Sequence, residues 1–80
     1  MKAKVYISYK DGILDPQGKT VGGALNSIGV EGIKNVRIGK YIEISFDDVS
    51  EEKAKEITDE SCRKLLANPN TETYHFEIEE

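Results

Sequence analysis

Apolar and polar residues alternate in four short segments of this chain, and that period of two dictates most of its architecture. In Lys2–Tyr9, Ala3, Val5, Ile7 and Tyr9 share one side while Lys4, Tyr6 and Ser8 share the other, as in a strand with one face buried. Ile33–Ile38 turns Val36 and Ile38 inward, Tyr41–Phe46 turns Ile42, Ile44 and Phe46 inward, and Thr73–Glu79 does so with Tyr74, Phe76 and Ile78. Two stretches change to helical period. Asp15 can cap the first, with Pro16 preset for its opening position. Val21, Ala24, Leu25 and Ile28 then follow the i, i+3, i+4, i+7 rule, and Gly29 stands where a left-handed terminus is needed. Ser50 caps the second, Glu51 and Glu52 suit its positive end, and Ala54, Ile57, Ser61, Cys62 and Leu65 form its mostly apolar stripe. Arg63 and Lys64 fit its closing turn, and Asn68-Pro69 stops it. Between the two middle strands, Gly39-Lys40 fits a two-residue hairpin turn.

The order β-α-β-β-α-β predicts an α+β, ferredoxin-like domain made of residues 1–80 as a single unit. Right-handed crossovers place both helices on one face of a four-stranded antiparallel sheet. The other face is left uncovered, and Tyr6, Arg37, Tyr41, Glu43 and His75 point from it.

Eighty residues are too few for a cleft between two lobes or for most folds that enclose a nucleotide. The net charge of -4 is unevenly spread: residues 1–40 carry seven basic and three acidic groups, residues 41–80 four basic and twelve acidic. An acidic domain repels a polyanion unless a local basic stripe overcomes its field, which argues against nucleic acid. Met1-Lys2-Ala3-Lys4 leads straight into a strand pattern rather than an apolar leader. No apolar run approaches the length that spans a bilayer. The expectation is a soluble, cytoplasmic protein with no membrane contact. Cys62 is the only cysteine, so no intrachain disulfide supplies the stability that a small domain lacks. One cysteine and one histidine are poor material for zinc. Oligomerisation is the expected remedy.

Chemistry-bearing motifs are weak throughout. Gly18-Lys19-Thr20 resembles the end of a phosphate loop, but the pattern needs glycine where Ile13 stands, and Asp15 and Pro16 spoil the cradle. Tyr6 and Tyr41 could stack bases as in RNA-binding sheets of this topology, yet Glu43 occupies the next position on that strand and repels phosphate. Exposed tyrosines on an open sheet more often mark a protein interface. Cys62 and His75, the sole candidates for a nucleophile and base, are expected on opposite faces of the sheet. Acyl-phosphate hydrolysis on this topology uses an arginine after the first strand, and residues 10–18 contain none. Gly22-Gly23 fits either close packing or the approach of another chain.

Three segments together carry a family resemblance. Leu14-Asp15-Pro16-Gln17-Gly18-Lys19, Val36-Arg37-Ile38-Gly39-Lys40-Tyr41-Ile42-Glu43-Ile44 and Lys64-Leu65-Leu66-Ala67-Asn68-Pro69 occur in the order and spacing of PurS, the small subunit of phosphoribosylformylglycinamidine synthase. Asn70-Thr71 departs from that family, which usually has an apolar pair there. The resemblance implies a non-catalytic assembly subunit of an enzyme complex in de novo purine synthesis. That complex uses ATP and glutamine to convert formylglycinamide ribonucleotide into formylglycinamidine ribonucleotide. It implies a synthetase partner, PurL, and a glutaminase partner, PurQ, with this chain bridging them and supporting ammonia transfer. ATP and magnesium are implied for the complex, and no cofactor for this chain. A homodimer or tetramer is implied as well. Expected subunit contacts are Asp15, Pro16, Gln17 and Gly18, then Gly39, Lys40 and Tyr41, then Asn68 and Pro69. Tyr6, Arg37, Glu43 and His75 are the expected oligomer face. The alternative is a stand-alone ligand- or RNA-binding module that uses Tyr6 and Tyr41.

Overall fold

The computed structural model describes residues 1–80. Strand β1 (Lys2–Tyr9) lies at the centre of a three-stranded antiparallel sheet, between β2 (Lys40–Ser45) and β3 (Glu72–Glu79). The register pairs Val5 with Ile42 on one side and with Phe76 on the other, so the apolar positions of all three strands share a face. Ala3, Val5 and Ile7 are buried there, and Ile42, Ile44, Phe46, Tyr74, Phe76 and Ile78 pack around them. The alternation in the sequence is thus realised in all three strands.

Helix α1 (Pro16–Ser27) starts as expected. Asp15 is its N-cap, its carboxylate accepting from the Gly18 N–H at 2.9 Å, and Pro16 occupies the first turn. Its end is a Schellman motif: Gly29 has φ +87°, its N–H donates to Asn26, and the Val30 N–H donates to Leu25. Helix α2 (Glu51–Ser61) is capped by Ser50, whose hydroxyl accepts from the Lys53 N–H at 3.1 Å. It continues into a π-helical turn, α3 (Cys62–Leu66). Ala54, Thr58 and Cys62, four residues apart, form the line buried on the sheet.

Four expectations need correction. Residues 33–38 form no strand, so the single chain has three of the expected four. Gly39-Lys40 is not a turn: Lys40 already opens β2 opposite Ile7, and a Cβ on Gly39 would stand 2.5 Å from the Ile7 carbonyl oxygen. This glycine serves close backbone approach. The physical reason lies in parity. A two-residue turn at 39–40 pairs position 37 with 42 and 35 with 44, setting Arg37 and Asn35 on the face of Ile42 and Ile44. An uninterrupted extended chain keeps Val36 and Ile38 on that face instead.

Third, α1 does not cover the sheet. Its Val21 and Ile28 are exposed, Leu25 is half-buried, and its inner side is Gly18 and Gly22 against Val36. Both helices therefore do not lie on the sheet together; α2 alone does. Fourth, Leu65 is 83% exposed rather than part of the α2 stripe. The π turn changes the helical phase after Cys62, so Leu66 packs on the core in its place. No helix is long and apolar enough to cross a membrane.

The molecule is long for its mass. Its radius of gyration is 16.0 Å and its extents are 50 × 26 × 14 Å, whereas a compact domain of this length has a radius near 12 Å. Residues 10–39, with α1 at their centre, form an arm beyond the end of the sheet.

A candidate subunit-contact surface

Asp15 braces the arm internally, while Arg37 and Lys10 tie it to the end of the sheet. Asp15 divides its carboxylate between the Gly18 N–H, 2.9 Å away, and the Ile38 N–H, 2.8 Å away. The bond to Ile38, then that to Gly18, holds its acid below the ordinary carboxylate range. One residue thus caps α1 and fastens residues 36–38 to its first turn. Arg37 donates to the Tyr9 carbonyl and lies 3.7 Å from Asp11. Gly18 is obligatory here, since a Cβ would collide with the Val36 carbonyl oxygen and stand 2.6 Å from an Asp15 carboxylate oxygen. Between α1 and these segments lies an open cleft of about 740 Å³.

The other proposed contacts gather at the same end of the sheet. Lys40 reaches Glu72 at 3.6 Å and the Leu66 carbonyl at 3.4 Å. Lys10 donates to the Pro69 carbonyl at 2.7 Å, and its backbone N–H to Thr71. Asn68 accepts from the Asn70 N–H through its side chain. The Asp15–Gly18 turn, residues 39–40 and the Asn68-Pro69 turn therefore rim one end of β1. Gln17 is exposed on the first turn of α1. Tyr41 does not join this group. It belongs to the opposite, open face.

On that face Tyr6 stacks on His75 with ring centroids 4.8 Å apart and meets Tyr41 at 5.2 Å. The cross-strand register explains the row, because Tyr6 pairs with Tyr41 on one side and with His75 on the other. The Tyr41 hydroxyl donates to Glu43 at 2.6 Å, which raises the pKa of the phenol to about 12 and lowers that of Glu43. Lys2 faces Glu43 at 3.5 Å, and Lys4 faces Glu79 at 2.5 Å. Arg37 lies with the arm, apart from Tyr6, Glu43 and His75, so the expected oligomer face divides into two places.

Cys62 is buried under α2, with its thiol pushed up by burial, while His75 stands on the open face. Gly18-Lys19-Thr20 forms the first turn of α1, its Gly18 and Lys19 N–H groups taken by Asp15. They form no phosphate cradle. Sequence reasoning missed the Asp15–Ile38 bond and the bond from Tyr74 to Asp59 at 2.6 Å. A capping aspartate signals only its local partner, and no periodicity reports a cross-element hydroxyl.

The whole length of the chain settles its relationship. The family model for PurS, phosphoribosylformylglycinamidine (FGAM) synthase, matches residues 2–80. The chain belongs to the PurS family. It is 44% identical to the PurS subunit of Bacillus subtilis strain 168, over 99% of this chain and 93% of that protein. The crystal structure of Methanocaldococcus jannaschii PurS superposes with a TM-score of 0.89 at 43% identity, covering 99% of this chain and 95% of that one. A chain from the PurLQS structure of Thermotoga maritima matches with a TM-score of 0.85 at 32% identity, covering 95% and 93%. PurS is a subunit of phosphoribosylformylglycinamidine synthase, a ligase complex of purine biosynthesis. Because these relatives cover the arm as well as the sheet, its extended placement is shared with them.

Proposed function

We propose that this chain is the non-catalytic assembly subunit of its synthase, joining a PurL synthetase to a PurQ glutaminase in the cytoplasm. The observation that carries this reading is its likeness, over the whole arm and sheet, to a chain of the Thermotoga PurLQS structure. The physical task is transfer of ammonia. Once protonated, ammonia is no longer a nucleophile, so the site that releases it and the site that consumes it must be held together away from water. Fixed docking supplies that proximity and excludes solvent. ATP and magnesium act on the synthetase, and this chain holds no cofactor. The 80 residues work as one PurS-like unit and as a homodimer or tetramer. Asp15–Gly18, Gly39-Lys40 and Asn68-Pro69, gathered at one end of the sheet, are the proposed contacts within the complex. Tyr6, Tyr41, Glu43 and His75 form a second surface between copies.

Reconstitution tests this. PurL and PurQ from the same source are assayed with and without the chain, using glutamine and then ammonium as nitrogen donor. The chain is expected to raise glutamine-dependent synthesis at least tenfold and to leave ammonium-dependent synthesis within a factor of about two. Equal glutamine-dependent rates without it would sink the reading. The alternative, a module binding RNA through Tyr6 and Tyr41, has less support: Tyr6 is covered by His75, and Glu43 and Glu77 stand beside the row.

A further inference from the structure

The cleft of about 740 Å³ between α1 and residues 10–15 and 33–37 has the size of a small-molecule site, for which about 300–1,000 Å³ is usual. Gly18, Lys19, Gly22, Gly23 and Asn26 form the wall that α1 gives it. At about 100° per residue, that side lies roughly 120° around the helix axis from the exposed apolar residues Val21 and Ile28. The cleft is therefore separate from the apolar side of α1.

Positive charge gathers here in a chain whose net charge is -4. Lys10, Lys19, Lys34 and Arg37 line the cleft against two acidic side chains, Asp11 and Asp15. Both carboxylates are already engaged. Asp15 accepts from the Gly18 and Ile38 N–H groups, and Asp11 lies 3.7 Å from Arg37. Lys19 and Lys34 enter no ion pair. One on α1 and one on the segment after it, they line the cleft without a counter-ion from the chain. Cations held in a cleft focus the field and draw an anion into it. A phosphate monoester carries about 1.5–2 negative charges at neutral pH, which matches the excess of four basic over two acidic groups. A carboxylate brings only one.

The rest of the lining suits an apolar body. Ile13 and Ile33 are 39% and 43% exposed at the cleft. A Cβ on Gly12 or Gly23 would meet nothing within 4 Å, and one on Gly22 would make only ordinary contact with Val36. Glycine at position 23 weakens the helix relative to alanine, and no packing within the chain requires it. It does leave room for a flat group to lie against the α1 backbone.

We propose that this cleft binds a small phosphate monoester with a flat ring as its body. Lys19 and Lys34 hold the phosphate, and the ring lies along Gly22, Gly23 and Ile33. The bound molecule bridges α1 and the segment that follows it, and so stiffens the arm.

Calorimetric titration of the full chain at low salt with AMP, adenosine and inorganic phosphate tests this. AMP is expected to bind with a Kd below about 1 mM, at least tenfold tighter than either adenosine or phosphate. The double variant Lys19→Ala with Lys34→Ala removes exposed, unpaired side chains and so spares the fold. It is expected to weaken AMP binding at least tenfold with an unchanged circular dichroism spectrum. Lys55→Ala, at an exposed position of α2 outside the cleft, is expected to leave AMP binding unchanged. Gly23→Glu adds bulk and negative charge at the cleft, where the fold has open space, and is expected to weaken binding as strongly as the double variant. Absence of AMP binding, equal affinity for phosphate alone, or affinity that survives both cleft variants would overturn the site. Preference for a tetraglutamate peptide over AMP would overturn it too, and would assign the cleft to an acidic protein segment.

Discussion

Gly18 and Gly23 lie five residues apart on α1 and answer opposite demands. At Gly18 a Cβ would strike the Val36 carbonyl oxygen, whereas at Gly23 nothing lies within 4 Å. Gly18→Ala is therefore expected to destabilise the fold by about 1–3 kcal/mol, the cost of forcing two packed segments apart. Gly23→Ala is expected to stabilise it by about 0.5–1 kcal/mol through helix propensity. Urea unfolding of the two variants, read against the natural chain, checks both signs. The paired glycines at 22–23 thus separate: Gly22 makes ordinary contact with Val36, and Gly23 faces outward. The Tyr41–Glu43 bond sets a pH window. It needs a neutral phenol and an ionised carboxylate. The raised phenol loses its stabilising effect as pH climbs from 10.0 towards about 12, and the lowered Glu43 loses its own as pH falls below the ordinary glutamate value of 4.5. Absorbance titration is expected to show one tyrosine ionising near 12, and Glu43→Gln to return it towards 10.0.

Among the elements, α2 and its π turn show how a helix can change its buried face. Ala54, Thr58 and Cys62 follow one another at four-residue steps, and the Thr58 hydroxyl stays satisfied by donating to the Ala54 carbonyl at 2.8 Å. The i→i+5 geometry after Cys62 then exposes Leu65 and turns Leu66 inward. Leu65→Glu is expected to change stability by no more than about 0.5 kcal/mol, as for a surface position. Leu66→Ala is expected to cost about 2 kcal/mol, near the low end for a leucine that is only partly buried. A continuous α-helix would give the reverse order in thermal unfolding. Cys62 belongs to the same element. Burial keeps its thiol protonated and out of reach. Alkylation at pH 8 is expected to follow the rate of unfolding, and rapid modification of the folded protein would show the thiol to be accessible.

At the scale of the whole molecule, an extended arm and a small core leave the single chain short of buried surface. Only Ala3, Val5, Ile7, Cys62 and Ala67 form the fully buried apolar cluster. Stability drawn from association depends on concentration by mass action. The midpoint of thermal unfolding is therefore expected to rise with protein concentration, by several degrees over a hundredfold range. A midpoint independent of concentration would mean that the single chain is sufficient.

Much of this was legible in the residues. Alternation located β1, β2 and β3 and named their inward side chains, because a strand repeats every two residues whatever surrounds it. Asp15, Pro16, Gly29 and Ser50 marked helix ends, because capping is local chemistry. The matching segments around Asp15, Gly39 and Asn68 pointed to the family. Less was legible where the outcome depends on a distant neighbour. Residues 33–38 carry a strand pattern, yet a strand needs a partner, and none is within reach on the same chain. The stripe of α1 is amphipathic, but periodicity says only that a face is to be buried and not against what. Gly39 looked like a turn because glycine permits one, while the Ile7 carbonyl across the sheet demanded a glycine for another reason. The residues by themselves determined which segments become strands and helices and which of their sides are apolar. The tertiary structure alone decided that α2 and not α1 covers the sheet, that the chain stays extended through Gly39-Lys40, and that Asp15 ties the first turn of α1 to Ile38. These outcomes turn on backbone distances between residues far apart in sequence, which local periodicity does not encode.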